Sequence, residues 1–228
     1  MLALLLSGTS LLVPVVPSRS GSAPRMCSVE DVKGRLMEKL APLDRGFSST
    51  AEQRRQVNAI LQELKQAGGS PEFAPIDGDW LLEYTDAPDI LGLNGGPFAT
   101  LRRIGQQIDA SEKTIANVLE YTPSGWISSI NSLVADDKIQ QRVLLDYEVE
   151  GTKYNLKIKG TGFNFNRVAG VDLAAAPPLK LQGLLALPFG QFEVLYNDGH
   201  LRVIRTQQGY YSVNRRLAEA DGWGPGAQ

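Results

Sequence analysis

Cysteine and histidine are almost missing from this chain: 228 residues hold one of each, Cys27 and His200. An internal disulfide framework is therefore excluded, and so is a cysteine-rich zinc site. A Cys–His nucleophile pair would need these two residues to meet. Cys27 falls in a segment with targeting character, and His200 reads as a solvent-facing residue beside a turn. Charge of one sign is lacking too. The net charge is −2, with no basic or acidic block along the chain. A nucleic-acid binder normally shows a basic surface, so nucleic acid is not an expected partner. A long hydrophobic run is also absent. The apolar part from Leu2 to Val16 is broken by Gly8, Pro14 and polar residues, and is too short to span a bilayer as a helix.

Catalytic arrangements are equally scarce. "GLNGG" has neither a preceding parallel strand nor the Lys-Ser/Thr that a phosphate loop requires. "TPSGW" places a serine beside a glycine without forming a G-x-S-x-G elbow. Asp136-Asp137 and Asp146/Glu148 are carboxylate pairs, and both read as turn or solvent-face residues. No metal-ligand spacing is present, and no cofactor is expected.

What the chain does have is turn chemistry, with 23 glycines and 13 prolines, and a change of hydrophobic period part-way along. The first acidic residue is Glu30; before it stand only Arg19 and Arg25 as charges, with serines at 18, 20 and 22. Residues 1–27 therefore read as a presequence, either a secretory signal, an organelle transit peptide, or the two in series. Residues 28–70 form a helical segment. Val32, Leu36 and Leu40 recur at helical spacing after Ser28, a candidate N-cap, and Pro42 ends that helix. Thr50 and Gln53 make a capping-box signal for a second helix, whose stripe is Val57, Ile60, Leu61 and Leu64.

From Trp80 onward the period is two, and residues 71–216 read as the β domain. Trp80, Leu82 and Tyr84 share a face; so do Ile115, Asn117, Leu119 and Tyr121, and also Val143, Leu145, Tyr147 and Val149. Tyr154, Leu156 and Ile158 alternate with Asn155, Lys157 and Lys159. "DASEK", "TPSG", "EGTK" and "NDGH" punctuate the runs. About eight short strands joined in sequence predict a mainly β fold with N-terminal helices: an up-and-down antiparallel barrel, with a sandwich as the alternative. Residues 217–228 read as a flexible tail. An eight-stranded barrel has an interior that side chains fill or that holds one small ligand. Trp80, Leu82, Tyr84, Tyr147, Phe192 and Tyr196 lie on predicted inward faces and are the candidate lining.

The stretch "FEVLYNDGHLRVIRTQQG" poses one difficulty. With Asp198-Gly199 as a two-residue turn, Tyr196 faces Leu201, Val194 faces Val203, and Phe192 faces Arg205. Arg205 then points into the core, where its guanidinium either stacks on Trp80 and bonds carbonyls, or meets the oxygen of a bound lipid. A slip of one residue would send Arg205 outward and Ile204 inward.

Five segments in order carry a family resemblance: "LDRGFSS", "QRRQVNAILQELKQ", "IDGDWLLEYTDAP", "GQQIDASEKTIANVLEY" and "FEVLYNDGHLRVIRTQQG". Gly78, Trp80, Leu82, Tyr84 and Thr85 match a G-x-W-x-L-x-Y-T motif. Gly105, Gln106, Gln107, Ile108, Asn117 and Val118 match a second, and Tyr196, Asp198, Leu201, Arg202, Val203 and Arg205 a third. Over residues 30–214 the chain resembles the fibrillin family of plastids, also called plastid lipid-associated proteins or plastoglobulins. It departs in Gly199 and His200, where acids are common, and in Thr206-Gln207-Gln208, where glycines are. The resemblance implies a lipocalin-like barrel in plastids (chloroplasts), on plastoglobules or thylakoids. It also implies a non-enzymatic role with hydrophobic small molecules (prenylquinones, carotenoids, fatty acids or other lipids) as ligands and a peripheral membrane or lipid-droplet surface as partner. The alternative is a solid-barrel scaffold with a protein partner, an enzyme of prenyl-lipid metabolism, docked on it.

Overall fold

The computed structural model describes residues 28–68, 74–93, 96–130, 137–168, 171–173, 179–182 and 188–224. The expected presequence, 1–27, lies outside the described residues. Helix α1 (Val29–Leu40) starts at Ser28, whose hydroxyl accepts from the Asp31 N–H while the Asp31 carboxylate accepts from the Ser28 N–H. Helix α2 (Ala51–Ala67) opens on the same reciprocal arrangement between Thr50 and Gln53. Each box satisfies two N–H groups that a helix start otherwise leaves unpaired. The buried stripes are Val32, Leu36 and Leu40 on α1 and Val57, Leu61 and Leu64 on α2.

The strands are β1 (Gly78–Thr85), β2 (Ala99–Asp109), β3 (Thr114–Pro123), β4 (Lys138–Glu150), β5 (Lys153–Val168), β6 (Val171–Asp172), β7 (Leu179–Gln182), β8 (Pro188–Asn197), β9 (Leu201–Thr206) and β10 (Tyr211–Arg216). Pairing runs β4-β3-β2-β1-β10-β9-β8-β5, and β5 pairs back with β4. All these pairings are antiparallel and the ring is closed, so the fold is an eight-stranded barrel and not a sandwich. Closure removes the open edges that so many alternating strands would present. Strands β6 and β7 pair with β5 outside the ring.

Two layers cover the barrel from outside. The two helices pack on β8, β9, β10 and the end of β1, where Tyr84, Leu195, Tyr196, Leu201, Val203, Tyr211 and Val213 meet the helical stripes. The second layer is the C-terminal segment, whose described part is not loose. Residues Glu219–Asp221 make a short 3-10 turn, and Trp223 packs with Leu81, Ala116, Val118, Leu144 and Leu217 on the outer face of β1–β4. The Trp223 N–H donates to Asp79 Oδ2 at 2.8 Å, its indole N–H donates to the Gln106 carbonyl, and its carbonyl accepts from Arg142 Nη2. A single Trp in a Gly- and Ala-rich tail was the signal that this segment has a seat.

The helical layer is pinned to the β8–β9 turn by Lys33, whose ammonium lies 2.6 Å from Asp198 Oδ2. Burial by itself would raise the Asp198 carboxyl. The Lys33 ammonium, the Leu201 and His200 N–H groups and the Tyr196 hydroxyl outweigh it and hold the group at about 2. The folded value is thus below the unfolded one of about 3.9. The tether contributes fully above that unfolded value and is lost as pH falls from about 4 through 2. Asp198→Asn should therefore lower the urea midpoint at neutral pH and flatten its acid-side fall; equal acid-side slopes in the two proteins would refute this.

Candidate functional site

Strand register sorts the inward-facing residues into three levels. At the bottom, Ile108, Ile115, Leu145, Tyr147, Leu156, Phe192, Val194 and Ile204 pack around Trp80 in one cluster. Trp80 is fully buried and its indole N–H donates to the Ile76 carbonyl at 2.7 Å. Tyr154 and Phe192 stack with ring centroids 5.0 Å apart, and Tyr147 tilts against Tyr154 at 5.5 Å. This end of the barrel is filled.

The middle level is polar. Asn117 pairs with Gln106 across β3–β2, Gln106 with Trp80 across β2–β1, and Asn214 with both Leu82 and Arg202. Arg202 projects into the barrel, lays its guanidinium 4.5 Å over the Trp80 ring, and donates from Nη2 to Gln106 Oε1 at 2.5 Å. Gln106 in turn donates to Asn117 Oδ1 at 2.9 Å. Arg202 is completely buried, and that burial pulls its guanidinium down to about 9, still protonated at neutral pH.

The upper level is not closed. Leu82, Leu101, Ile104 and Leu119 form an apolar cluster, against which Phe47, Ile90 and Leu93 pack from the β1–β2 side and Tyr121 from β3. On the β4–β5 side, register places Gln141 opposite Leu119 and Phe163, and Val143 opposite Asn117 and Thr161. Gln141, Val143, Thr161, Phe163 and Tyr121 all stay partly exposed, as do Gln106 and Asn117 at the middle level, although every one sits on the inward row. These partly exposed side chains set apolar walls above a row of amides at the upper end of the barrel. Apart from Arg202 beneath the amides, the described side chains named at this level are uncharged, which suits an apolar guest oriented by a few polar groups.

The rim at this end of the barrel carries an unusual surface. Among the described residues, the exposed large apolar side chains are Phe98, Trp126, Ile130, Val149 and Val171. Phe98 precedes β2; Trp126 and Ile130 lie on a short helix (Gly125–Ile130) that follows β3; Val171 opens β6, just after β5. Phe98, Trp126, Ile130 and Val171 thus share one end of the barrel, because Ala99 pairs with Pro123 and Lys138 with Arg167, whereas Val149 pairs with Tyr154 beside the β4–β5 turn at the other end. Phe98 and Trp126 lie with ring centroids 6.0 Å apart, and the indole N–H is already spent on the Pro97 carbonyl at 2.8 Å.

The candidate residues divide accordingly. Trp80, Leu82, Tyr147 and Phe192 are brought together inside. Tyr84 and Tyr196 are not: both lie outside the ring, under the helices. A bulge at Leu82/Tyr84 and another at Val194/Tyr196 each insert an extra residue, and an extra residue turns the following side chain to the other face. The second bulge also corrects the hairpin register. Tyr196 pairs with Val203, Val194 with Ile204 and Phe192 with Thr206. Arg205 is consequently exposed on the helix-side face, its guanidinium 5.8 Å over the Tyr211 ring. The stacking on Trp80 expected of Arg205 belongs to Arg202.

Sequence comparison fits this architecture. The PAP_fibrillin family model matches residues 30–214. The chain belongs to that family. Among curated relatives, it is 26% identical over 129 residues to the chromoplast-specific carotenoid-associated protein C1 of an Oncidium hybrid cultivar, covering 53% of this chain and 40% of that protein. It is 28% identical over 99 residues to plastoglobulin-1 of Pisum sativum, covering 40% and 27%. To the plastid-lipid-associated protein of Citrus unshiu it is 20% identical over 220 residues, covering 82% and 68%. The chain thus spans 40% of the length of the first of these relatives.

Proposed function

We propose that this fibrillin is a non-enzymatic, lipid-associated protein of plastids. It holds a hydrophobic small molecule in the upper half of its barrel and rests mouth-first on a plastoglobule or thylakoid surface. The carrying observation is the coincidence of partly exposed inward-row side chains at the upper end of the barrel with exposed apolar side chains around that end. Prenylquinones, carotenoids and fatty acids share the long apolar part that such walls accept. Each 100 Å² of apolar surface taken from water contributes about 2.5 kcal/mol. The rim argues for the surface contact on the same grounds. Trp and Phe at a membrane interface place an amphipathic or apolar ring at headgroup level, and Trp126 has no free donor to keep wet. The relatives' names, carotenoid-associated, plastid-lipid-associated and plastoglobulin, support the setting. The described side chains named there offer amides and hydroxyls and no carboxylate or thiol, which favours binding over catalysis.

One experiment tests both halves. Residues 28–228 are mixed with emulsified plastid lipid, the droplets are floated, and the protein left in solution is repurified, extracted and analysed by mass spectrometry. The expected result is co-flotation together with a stoichiometric lipid of one class in the soluble fraction. Replacing Phe98 and Trp126 together by Ser should reduce flotation and leave the extracted lipid unchanged. Protein that floats but yields no bound lipid would overturn the chamber reading in favour of a scaffold that docks a prenyl-lipid enzyme.

A further inference from the structure

The buried Arg202 guanidinium is under-partnered. Its Nε and Nη1 have no acceptor, and the amide nitrogen of its cross-strand neighbour Asn214 has none either. Gln106 Oε1 takes only one of the guanidinium nitrogens. Arg216 adds a second positive charge, 5.3 Å from the Trp80 ring, and its hydrogen bonds go to the carbonyls of Asp77 and Gly199. Neither guanidinium takes part in an ion pair with a carboxylate among the described residues. A buried cation without a counter-charge is among the costliest arrangements in a protein interior. A neutral acceptor, such as a ketone or water, would satisfy the donors and leave the charge uncompensated.

These donors lie at the amide row beneath the apolar walls. Arg202 bonds Gln106, Gln106 bonds Asn117, and both amides stay partly exposed. Above them β3 runs six residues from Asn117 to Pro123, roughly 20 Å of strand, along walls made of Leu119, Tyr121, Leu82 and Leu101. The floor is cationic and rich in donors; the walls are apolar. Resting on the reading that the chamber holds a lipid, we propose that its ligand is an amphipathic lipid with a carboxylate head, bound head-down against Arg202 and Asn214 with its chain directed to the mouth. A carboxylate supplies the missing charge and acceptor lone pairs for all three free donors.

The test uses cis-parinaric acid, a fluorescent fatty acid, and its methyl ester, titrated into residues 28–228 at neutral pH. The acid is expected to bind about tenfold or more tightly than the ester, the scale of a charge-assisted contact replaced by a neutral one. Arg202→Gln should bring the acid down to the affinity of the ester and leave the ester unchanged. If Arg202→Gln does not fold, the acid-to-ester ratio of the wild-type protein still decides, with Asn214→Leu as the second variant, expected to narrow that ratio. Equal affinities, or a tighter ester, would overturn the carboxylate assignment while keeping an apolar binding chamber. No binding of either probe would remove the chamber reading as well.

Discussion

Trp80→Ala should cost more stability than any other side-chain truncation in the barrel, about 4 kcal/mol or more. Truncating a large aromatic at a buried site typically loses roughly 3–5 kcal/mol, part of it transfer and part the cavity left behind. Here the loss has a second component. The Trp80 ring is the surface on which Arg202 lies at 4.5 Å, and a desolvated cation–π contact is worth about 2 kcal/mol. Without the ring, a fully buried guanidinium faces a void. Against a typical domain stability of about 5–15 kcal/mol, such a variant should be mostly unfolded in moderate urea. Trp80→Phe separates the components: it keeps a ring under Arg202 and gives up the indole bond to Ile76, a loss of about 1 kcal/mol. The check is a pair of urea titrations followed by circular dichroism. A Trp80→Ala midpoint within about 1 kcal/mol of wild type would show that Arg202 and its neighbours repack freely, against the layered interior described above.

The same tryptophan marks how far the sequence could be read. Its face was legible because β1 starts with a clean alternation, and so were those of Ile115, Leu145, Tyr147 and Leu156, which the register places inside. The helices were legible from their caps and stripes. Period-two reasoning fails at a bulge, however, since one inserted residue exchanges inside for outside and leaves no mark in hydrophobicity. Tyr84 and Tyr196 are as apolar on the outer face as they would be on the inner one, because the helices cover that face. In "LRVIR" both faces of β9 are buried over Leu201–Ile204, so alternation could not say which arginine goes in. The decision was made instead by the bulge in β8, which pairs Tyr196 with Val203 and turns Arg202 toward Trp80. The partial exposure of Gln141 and Thr161 on the inward row was illegible for a related reason: a strand pattern records only which way side chains face, not how closely the opposite wall approaches.

Gly105→Ala should be the most damaging single-methyl addition in the barrel, although Gly105 sits in an ordinary strand conformation. Gly105 lies on β2 opposite Leu81 and Val118, with its missing side chain directed to the outer face that the C-terminal segment covers. A Cβ there would stand 1.9 Å from the Trp80 carbonyl oxygen and 2.4 Å from Trp223 Cζ2. The first neighbour is backbone and cannot swing aside, and displacing it displaces Trp80 from the interior. The second is an indole whose chain is anchored through Asp79, Gln106 and Arg142. Overpacking a tight site costs about 1–3 kcal/mol when side chains can adjust, so a clash fixed on both sides should reach the top of that range or pass it. Gly34→Ala is the matched control. Gly34 lies in α1 with nothing within 4 Å of the added carbon, so the substitution removes a helix-interior glycine and should gain about 1 kcal/mol. Thermal melts of the two variants should therefore move in opposite directions. A Gly105→Ala melt at the wild-type temperature would mean that the C-terminal segment lifts off at little cost, and that Trp223 is not part of what holds β1 and β2 together.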